Sequence, residues 1–168
     1  MLQLHPESRG RITLRDADPF SKPLIDANYL AVESDLDALV IGFKESRKIL
    51  SQSAFKPYFQ DEFQPGSGVT TDEEIKQYIR ENAETLYHPV GTCKMGIDAM
   101  TVVDPQTLKV HGLEGIRVID ASIMPTLASG NTNAPVTMIA EKGSDMILHD
   151  LGLHLIDNQP AQARRSLG

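Results

Sequence analysis

One short stretch limits the local structure of this chain more than any other. It runs from Tyr87 to Gly96 and contains one histidine, one proline, two glycines and the only cysteine of the 168 residues. It has neither helical nor strand periodicity, which indicates a loop of defined shape. Pro89 biases the backbone of His88 toward an extended conformation. A histidine held in such a loop is a candidate general base or acid, because histidine exchanges protons near neutral pH. The alternative is a hydrogen-bonded histidine that only fixes the loop.

Composition and charge exclude several classes of function. The formal net charge is -7, and no basic cluster occurs before Arg164 and Arg165, which argues against nucleic acid as a partner. One cysteine excludes an internal disulfide and a multi-cysteine zinc site, and it fits a reducing compartment, so we expect a cytoplasmic protein. The sequence contains no signal-peptide pattern at Met1 and no apolar run long enough to span a bilayer.

The first half is predicted to contain one strand and two helices. Polar and apolar residues alternate over Arg11–Leu14, which predicts a short half-buried strand. A helix is predicted to begin within Ser34–Asp37, with a solvated face that includes Arg47. Its apolar face is formed by Leu36, Leu39, Val40, Phe43 and Leu50.

A second helix is predicted where Thr71 and Glu74 form a capping-box pattern. Its apolar positions continue through Leu86, so it is expected to lead directly into His88. The preceding segment, Gln60–Gly68, is rich in proline and glycine and is predicted to be a flexible loop.

The second half is predicted to contain short strands, tight turns and a last helix. The run Ile116–Ile119, which is apolar except for Arg117, is predicted to be a strand buried on both faces. Asn133 is the predicted N-cap of the last helix, and Pro135 falls in its first turn, where proline is tolerated. The polar residues 157–168 are expected to fray.

Four stretches, taken together and in order, resemble the C-terminal portion of the glucose-methanol-choline (GMC) oxidoreductases, which are flavoenzymes that oxidise alcohols. The ending Cys93–Gly96 is most similar to the alcohol and choline dehydrogenase branch. The family's glycine-rich dinucleotide fingerprint does not occur here, so we expect a fragment, a split-gene product or an excised domain that lacks the N-terminal FAD-binding half and is inactive alone. The four stretches are His5–Gly10, Tyr87–Gly96, Val118–Pro125 and Gly130–Lys142.

The resemblance implies an α+β fold in which helices pack on an antiparallel sheet. Residues 1–100 would form the substrate-binding and catalytic portion. Residues 101–152 would return to the FAD-binding domain and add strands and a helix to it. Residues 153–168 would form a flexible tail.

The resemblance also implies a chemistry: transfer of a hydride from a small-molecule alcohol to FAD. His88 would be the base that accepts the hydroxyl proton, and Asn131 would hydrogen-bond the alcohol oxygen. Without the family resemblance, Asn131 would be interpreted as a turn residue at the start of a helix. Asp120 would be interpreted as a turn residue at the end of a strand. The residues implied to contact FAD are Asp120, Ala121, Asn131, Thr132, Asn133 and Pro135, and no metal site is implied.

Two other functions stay open at this point. The chain could be a non-catalytic interaction module that binds another chain, or itself as a homo-oligomer, through an unsatisfied hydrophobic face. It could also be a metal-assisted hydrolase, although the spacing of His5, His88, His111 and Asp104 matches no ligand motif. Cys93 lacks the orienting group that a nucleophile needs and is expected to be a small buried thiol.

Overall fold

The computed structural model describes residues 1–153, which form two compact units. The first unit is Met1–His88, and the second begins at Pro89. The elements of the first unit are β1 (Arg11–Thr13), β2 (Leu24–Asp26), α1 (Glu33–Leu50), a 3-10 turn (Ser53–Phe55) and α2 (Asp72–Asn82). Those described in the second unit are a 3-10 turn (Ala121–Ile123) and α3 (Asn133–Asp150).

The core of the first unit is the interface between α1 and α2. The apolar face predicted for α1 is buried at Leu36, Val40 and Phe43, and it packs against Ile75 and Ile79 of α2. Leu50, at the end of α1, is exposed instead. The two helices therefore bury a common apolar stripe, which is the main source of stability for amphipathic helices of this length.

The sheet of the first unit is a single antiparallel hairpin. β1 pairs with β2 so that Ile12 lies opposite Ile25, and all six strand residues are exposed. The α+β fold class is confirmed, but the sheet is small. The prediction of a half-buried strand is wrong, because both faces of the hairpin stay accessible to solvent.

Arg47 is the largest departure from the predicted surface of α1. Its guanidinium donates to the Glu62 carboxylate, to the carbonyl oxygen of Val69 and to that of Gly66, at 2.6 to 3.1 Å. It also lies 4.4 Å from the centre of the Phe43 ring. The prediction of a solvated arginine is wrong, because five N–H donors in a planar fork suit a loop rich in free carbonyl groups.

The second helix begins as predicted and ends earlier than predicted. Thr71 and Glu74 form the complete capping box. α2 ends at Asn82, so Leu86 lies outside it and the helix does not lead directly into His88. The continuation fails because Thr85 hydrogen-bonds the backbone of the turn that follows, which competes with helical hydrogen bonding.

The second unit is held together by turns and isolated bridges around a small core. Within residues 89–153 the strand-like pairing consists of the bridges Met95–Val103, Val103–Val110 and Lys109–Arg117. The strand predicted over Ile116–Ile119 is wrong: Ile116 is exposed, and only Arg117 makes a bridge. The core residues are Val103, Leu108, Ile123, Met124 and Ile139.

Two further expectations concern the C-terminal residues and membrane-spanning segments. The predicted fraying of residues 157–168 lies outside the described residues. Within residues 1–153, no helix combines the length and the apolar character needed to cross a membrane.

Candidate active site

The turn that precedes His88 adopts an unusual backbone conformation. Tyr87 has a φ of 62°, in the left-handed region that bulky residues rarely occupy. Such a conformation costs about 1 to 3 kcal/mol and persists only where surrounding contacts impose it. The side chain of Tyr87 is 76% exposed, so its packing does not supply those contacts. His88 itself is half-buried and is the last residue of the first unit.

The contacts that hold this turn come from Thr85. The N–H of Tyr87 donates to Oγ1 of Thr85 over 3.1 Å. The hydroxyl of Tyr29, which follows β2, donates to the same Oγ1 over 2.9 Å. Sequence reasoning missed both Thr85 and Tyr29. A threonine two residues before a turn residue is typical of a side-chain-capped turn, and that signal could have identified Thr85.

In the second unit, the remainder of the loop lies against the Ala121–Ile123 turn. The N–H of Cys93 donates to the carbonyl of Ser122 over 3.0 Å, and the N–H of Met95 donates to that of Ile123 over 2.8 Å. Gly91 has a φ of 85°, and a Cβ there would lie 3.2 Å from the Met124 carbonyl oxygen. Two of the four sequence stretches therefore form one substructure. Cys93 is a free, half-buried thiol beside its core.

Asp120 closes its own turn. One oxygen of its carboxylate accepts hydrogen bonds from the N–H of Ser122 at 2.8 Å and from the hydroxyl of Ser122 at 2.5 Å. Asp120 is exposed, whereas Ala121 is half-buried and packs against the core of the second unit. These contacts fix the path of the backbone at the position that the family resemblance assigns to FAD.

The start of α3 brings the remaining predicted site residues together. Asn131 and Asn133 are exposed, Pro135 is half-buried and Thr132 is buried. Thr132 occupies the N-cap position and makes no side-chain capping bond, and the first turn contains no acidic residue. The predicted N-cap, Asn133, is instead the first helical residue, because the helix begins with the bond from the Val136 N–H to the Thr132 carbonyl.

This helix start fits one part of the cofactor that the family implies. A helix N-terminus carries partial positive charge from its aligned peptide dipoles. With no acid in the first turn of α3, that charge is not neutralised by the helix's own side chains. That charge would suit the negatively charged ring of a reduced flavin, which the family resemblance assigns to this helix start. The described residues supply no glycine-rich turn for the FAD pyrophosphate.

The His5–Gly10 stretch is anchored on a buried carboxylate. Asp35, in the first turn of α1, is 1% exposed. It accepts from the Gln3 amide (2.8 Å), from the N–H groups of Glu7 (2.7 Å) and Ser8 (2.8 Å), and from the Ser8 hydroxyl. Burial alone would raise the pKa of Asp35, but these hydrogen bonds outweigh it and lower the pKa from 3.8 to about 2. The sequence placed Asp35 only within the start of α1 and did not predict its burial or its hydrogen bonds.

Neither cavities nor metal ligands add to the site. A cavity of about 440 Å³ in the second unit and one of about 380 Å³ in the first are both lined by residues outside the predicted site. Among the described residues, no group of three or more His, Cys, Asp or Glu side chains is placed to hold a metal ion. The predicted site residues therefore fall in two places: the His88 turn belongs to the first unit, and the Asp120 turn and the start of α3 belong to the second.

Comparison with known proteins identifies the family. A family model described as GMC oxidoreductase matches residues 6–140. The chain therefore belongs to the GMC oxidoreductases, which confirms the resemblance found in the four sequence stretches.

Particular relatives show which branch is similar. The chain is 48% identical over 164 residues to an alcohol dehydrogenase (acceptor) from Pseudomonas putida, covering 98% of this chain and 30% of that protein. It is 46% identical over 146 residues to an oxygen-dependent choline dehydrogenase from Staphylococcus saprophyticus, covering 86% of this chain and 26% of that protein. An FAD-dependent oxidoreductase from Chaetomium thermophilum matches in structure with a TM-score of 0.83 at 32% identity, covering 90% and 26% of the two chains. The chain thus spans less than a third of the length of these relatives.

Proposed function

We propose that this chain supplies the substrate-side and catalytic residues of an FAD-dependent oxidoreductase that acts on the CH–OH group of a small alcohol. The observation that carries the proposal is the strained turn at Tyr87, directly before His88. Strain of this kind is retained mainly where function requires a defined side-chain direction. The similarity to alcohol and choline dehydrogenases supports the substrate class.

His88 is the proposed general base. Oxidation of an alcohol removes a hydroxyl proton and a hydride, and FAD, when bound, accepts the hydride. A half-buried imidazole in a held turn is suited to take the proton, because its position is fixed while its ring remains reachable. The proton moves from the alcohol oxygen to a ring nitrogen of His88.

Asn131 is the proposed partner of the alcohol oxygen. Its side-chain amide has both a donor and an acceptor, so it can hydrogen-bond a hydroxyl and also an oxygen that has lost its proton. It is exposed and directly precedes the buried Thr132 at the start of α3. When FAD is bound, the same helix start would favour negative charge on its ring.

We propose further that catalysis requires an FAD-binding portion in addition to this chain. The relatives are about three times longer, and residues 1–168 contain no dinucleotide fingerprint. We therefore expect the chain alone to retain little FAD. The term holoenzyme is used below for this chain joined to, or assembled with, such a portion and loaded with FAD.

An interaction module is the second candidate. Phe20 and Phe63 are each more than 90% exposed, and the β1–β2 hairpin exposes Ile12 and Ile25. Apolar exposure of this extent favours association with another surface. A flavin spectrum of the chain mixed with an FAD-binding portion separates the two candidates: flavin that is bound and reduced by an alcohol supports the enzyme, and binding without reduction supports the module.

The His88 assignment is tested in the holoenzyme with His88→Ala. We expect the rate of flavin reduction by alcohol to fall about 10² to 10⁴-fold, which is the typical contribution of general-base catalysis. Flavin content and thermal stability should stay close to those of the parent protein. Unchanged reduction per bound flavin would disprove the assignment, and parallel loss of flavin, stability and activity would assign His88 to the fold instead.

Asn131→Ala should lower the rate of flavin reduction less than His88→Ala does. Removing one hydrogen bond to the reacting oxygen should slow flavin reduction about 10² to 10³-fold. Asn82→Ala, at an exposed asparagine of α2 outside the predicted site, is the matched control and should leave the rate unchanged. Equal losses in the two variants would contradict a specific role for Asn131.

A further inference from the structure

The first sequence stretch, His5–Gly10, has no role in the chemistry proposed above, yet a series of hydrogen bonds and adjoining backbone residues connects it to the turn that precedes His88. The backbone of Glu7 and Ser8 is fixed on the buried Asp35. From this anchor the carbonyl oxygen of Arg9 accepts a hydrogen bond from the Asn28 amide over 2.9 Å. The series is contained in the first unit.

The middle of the series is a second backbone segment of unusual shape. Asn28 and Leu30 have φ values of 50° and 57°, so both neighbours of Tyr29 are left-handed. The Asn28 N–H also donates to the Asp26 carboxylate at the end of β2 over 3.1 Å. These contacts fix the backbone from which the Tyr29 side chain extends, although that side chain is itself 65% exposed.

The series ends at the turn before His88. The Tyr29 hydroxyl donates to Oγ1 of Thr85, which also accepts the Tyr87 N–H. Thr85 is half-buried and lies 56 residues from Tyr29 in sequence. One hydroxyl group therefore joins the segment after β2 to the left-handed residue that sets the direction of the chain into His88.

We propose that Thr85 and Tyr29 are positioning residues, which hold Tyr87 in its left-handed conformation and thereby aim the imidazole of His88. Pro89 restricts the backbone of His88 from the other side, so the geometry of the Tyr87 turn sets the direction in which the Cα–Cβ bond of His88 leaves the backbone. The inference rests on the proposed role of His88 for its effect on catalysis. The conformational part, the turn held by Thr85, stands independently of that role.

The conformational part is tested in the 168-residue chain itself. Backbone chemical shifts and couplings of isotope-labelled Tyr87 report its φ directly. We expect Thr85→Val, which has a similar shape and no hydroxyl, to move Tyr87 out of the left-handed region in a large part of the molecules. Thr85→Ser keeps the hydroxyl and should retain the parent signals. An unchanged Tyr87 conformation in Thr85→Val would overturn the proposal.

The catalytic part is tested in the holoenzyme. Misplacement of a catalytic group by about 1 Å can cost about 10²-fold in rate, so Thr85→Val should slow flavin reduction by alcohol about ten- to a hundredfold at unchanged flavin content. Thr85→Ser should recover most of the rate. Tyr29→Phe, which removes only the hydroxyl, should cost about two- to fivefold, whereas Tyr58→Phe, at an 86% exposed tyrosine, should have no effect.

A rescue variant distinguishes positioning from a general loss of structure. Glycine adopts positive φ without strain, so Tyr87→Gly added to Thr85→Val should restore much of the lost rate. Failure of both Thr85→Ser and Tyr87→Gly to restore it would overturn the positioning role. If Tyr87 responds as expected but His88→Ala reduces flavin at the parent rate, the proposed function fails, while the hydrogen-bonded support of the turn is upheld.

Discussion

The helix starts of the first unit differ from the helix start of the second. α2 is closed by its own residues, with a complete capping box and three acids, Asp72, Glu73 and Glu74, in its first turn. α1 has two acids in its first turn, and one of them, Asp35, is buried among four donors. α3 has neither a side-chain cap nor an acid. The first unit therefore uses its helix starts to stabilise its own fold, whereas in the second unit no acid neutralises the positive charge at the start of α3.

The largest effect predicted from this comparison is at Asp35. Asp35→Ala leaves the donors of Gln3, Glu7 and Ser8 without their acceptor in a buried position, so we expect it to lower the free energy of unfolding by about 3 kcal/mol. Asp37→Ala is the matched control. It removes an exposed carboxylate that pairs with Lys76 over 2.7 Å, and it should cost less than about 1 kcal/mol. Urea unfolding of the chain measures both, and equal losses would show that Asp35 is only a helix-start acid.

The same carboxylate predicts an acid-sensitive stability. Because the pKa of Asp35 is lowered from 3.8 to about 2 in the folded chain, its ionised form stabilises the fold above pH 4. That contribution is lost progressively as the pH falls from about 4 toward 2. Asp35→Asn removes this titration, so its stability should vary less with pH over that interval than the stability of the parent chain. Identical pH profiles between pH 2 and 4 would contradict the assignment.

How far the sequence predicted these features depends on the range of the interactions. The capping box spans Thr71 to Glu74, and the apolar face of α1 repeats within each turn, so both could be read from local spacing. The turn formed by Thr85 had a local signal that was overlooked, whereas its second partner, Tyr29, lies 56 residues away and could not be found from local spacing.

The remaining wrong predictions concern sequence patterns that are compatible with two different structures. The apolar residues of Ile116–Ile119 fit either a buried strand or a turn-rich segment that packs one side on a helix, and in the structure the side chain of Ile119 packs against Gly143 of α3. Asp35 has the same local signal as any acid at a helix start, because its donors lie 27 to 32 residues earlier in the chain. The residues of the candidate site were named from the family resemblance. The conformation of the turns and of the helix start that hold them was not predicted from the sequence.

A moderate effect is predicted at the start of α2. Thr71→Ala removes a side-chain cap and should lower the free energy of unfolding by about 1 kcal/mol. Thr71→Ser should retain it. At the start of α3, Asn133→Ala removes no capping bond and should change stability by less than about 0.5 kcal/mol. A similar loss at both helix starts would remove the distinction between them.

The smallest effect is predicted for an added charge at α3. Asn133→Asp places a negative charge in the first turn and should stabilise the chain alone by about 0.3 to 1 kcal/mol, less at high salt. In the holoenzyme the same charge should lower the reduction potential of the flavin, because it repels the negative reduced form. A stability gain without any change in potential would show that the flavin does not use this helix start.

His88 carries the central claim, that this chain supplies the base of an alcohol-oxidising flavoenzyme. The most direct measurement is the rate of flavin reduction by alcohol in the His88→Ala holoenzyme, with and without added imidazole. If His88 accepts the hydroxyl proton, added imidazole should raise the rate of flavin reduction in His88→Ala. The rate should rise more steeply with imidazole concentration at a pH where imidazole is neutral. The same addition should leave Asn131→Ala unchanged. A His88→Ala holoenzyme that reduces its flavin at the parent rate, before any imidazole is added, would contradict the claim.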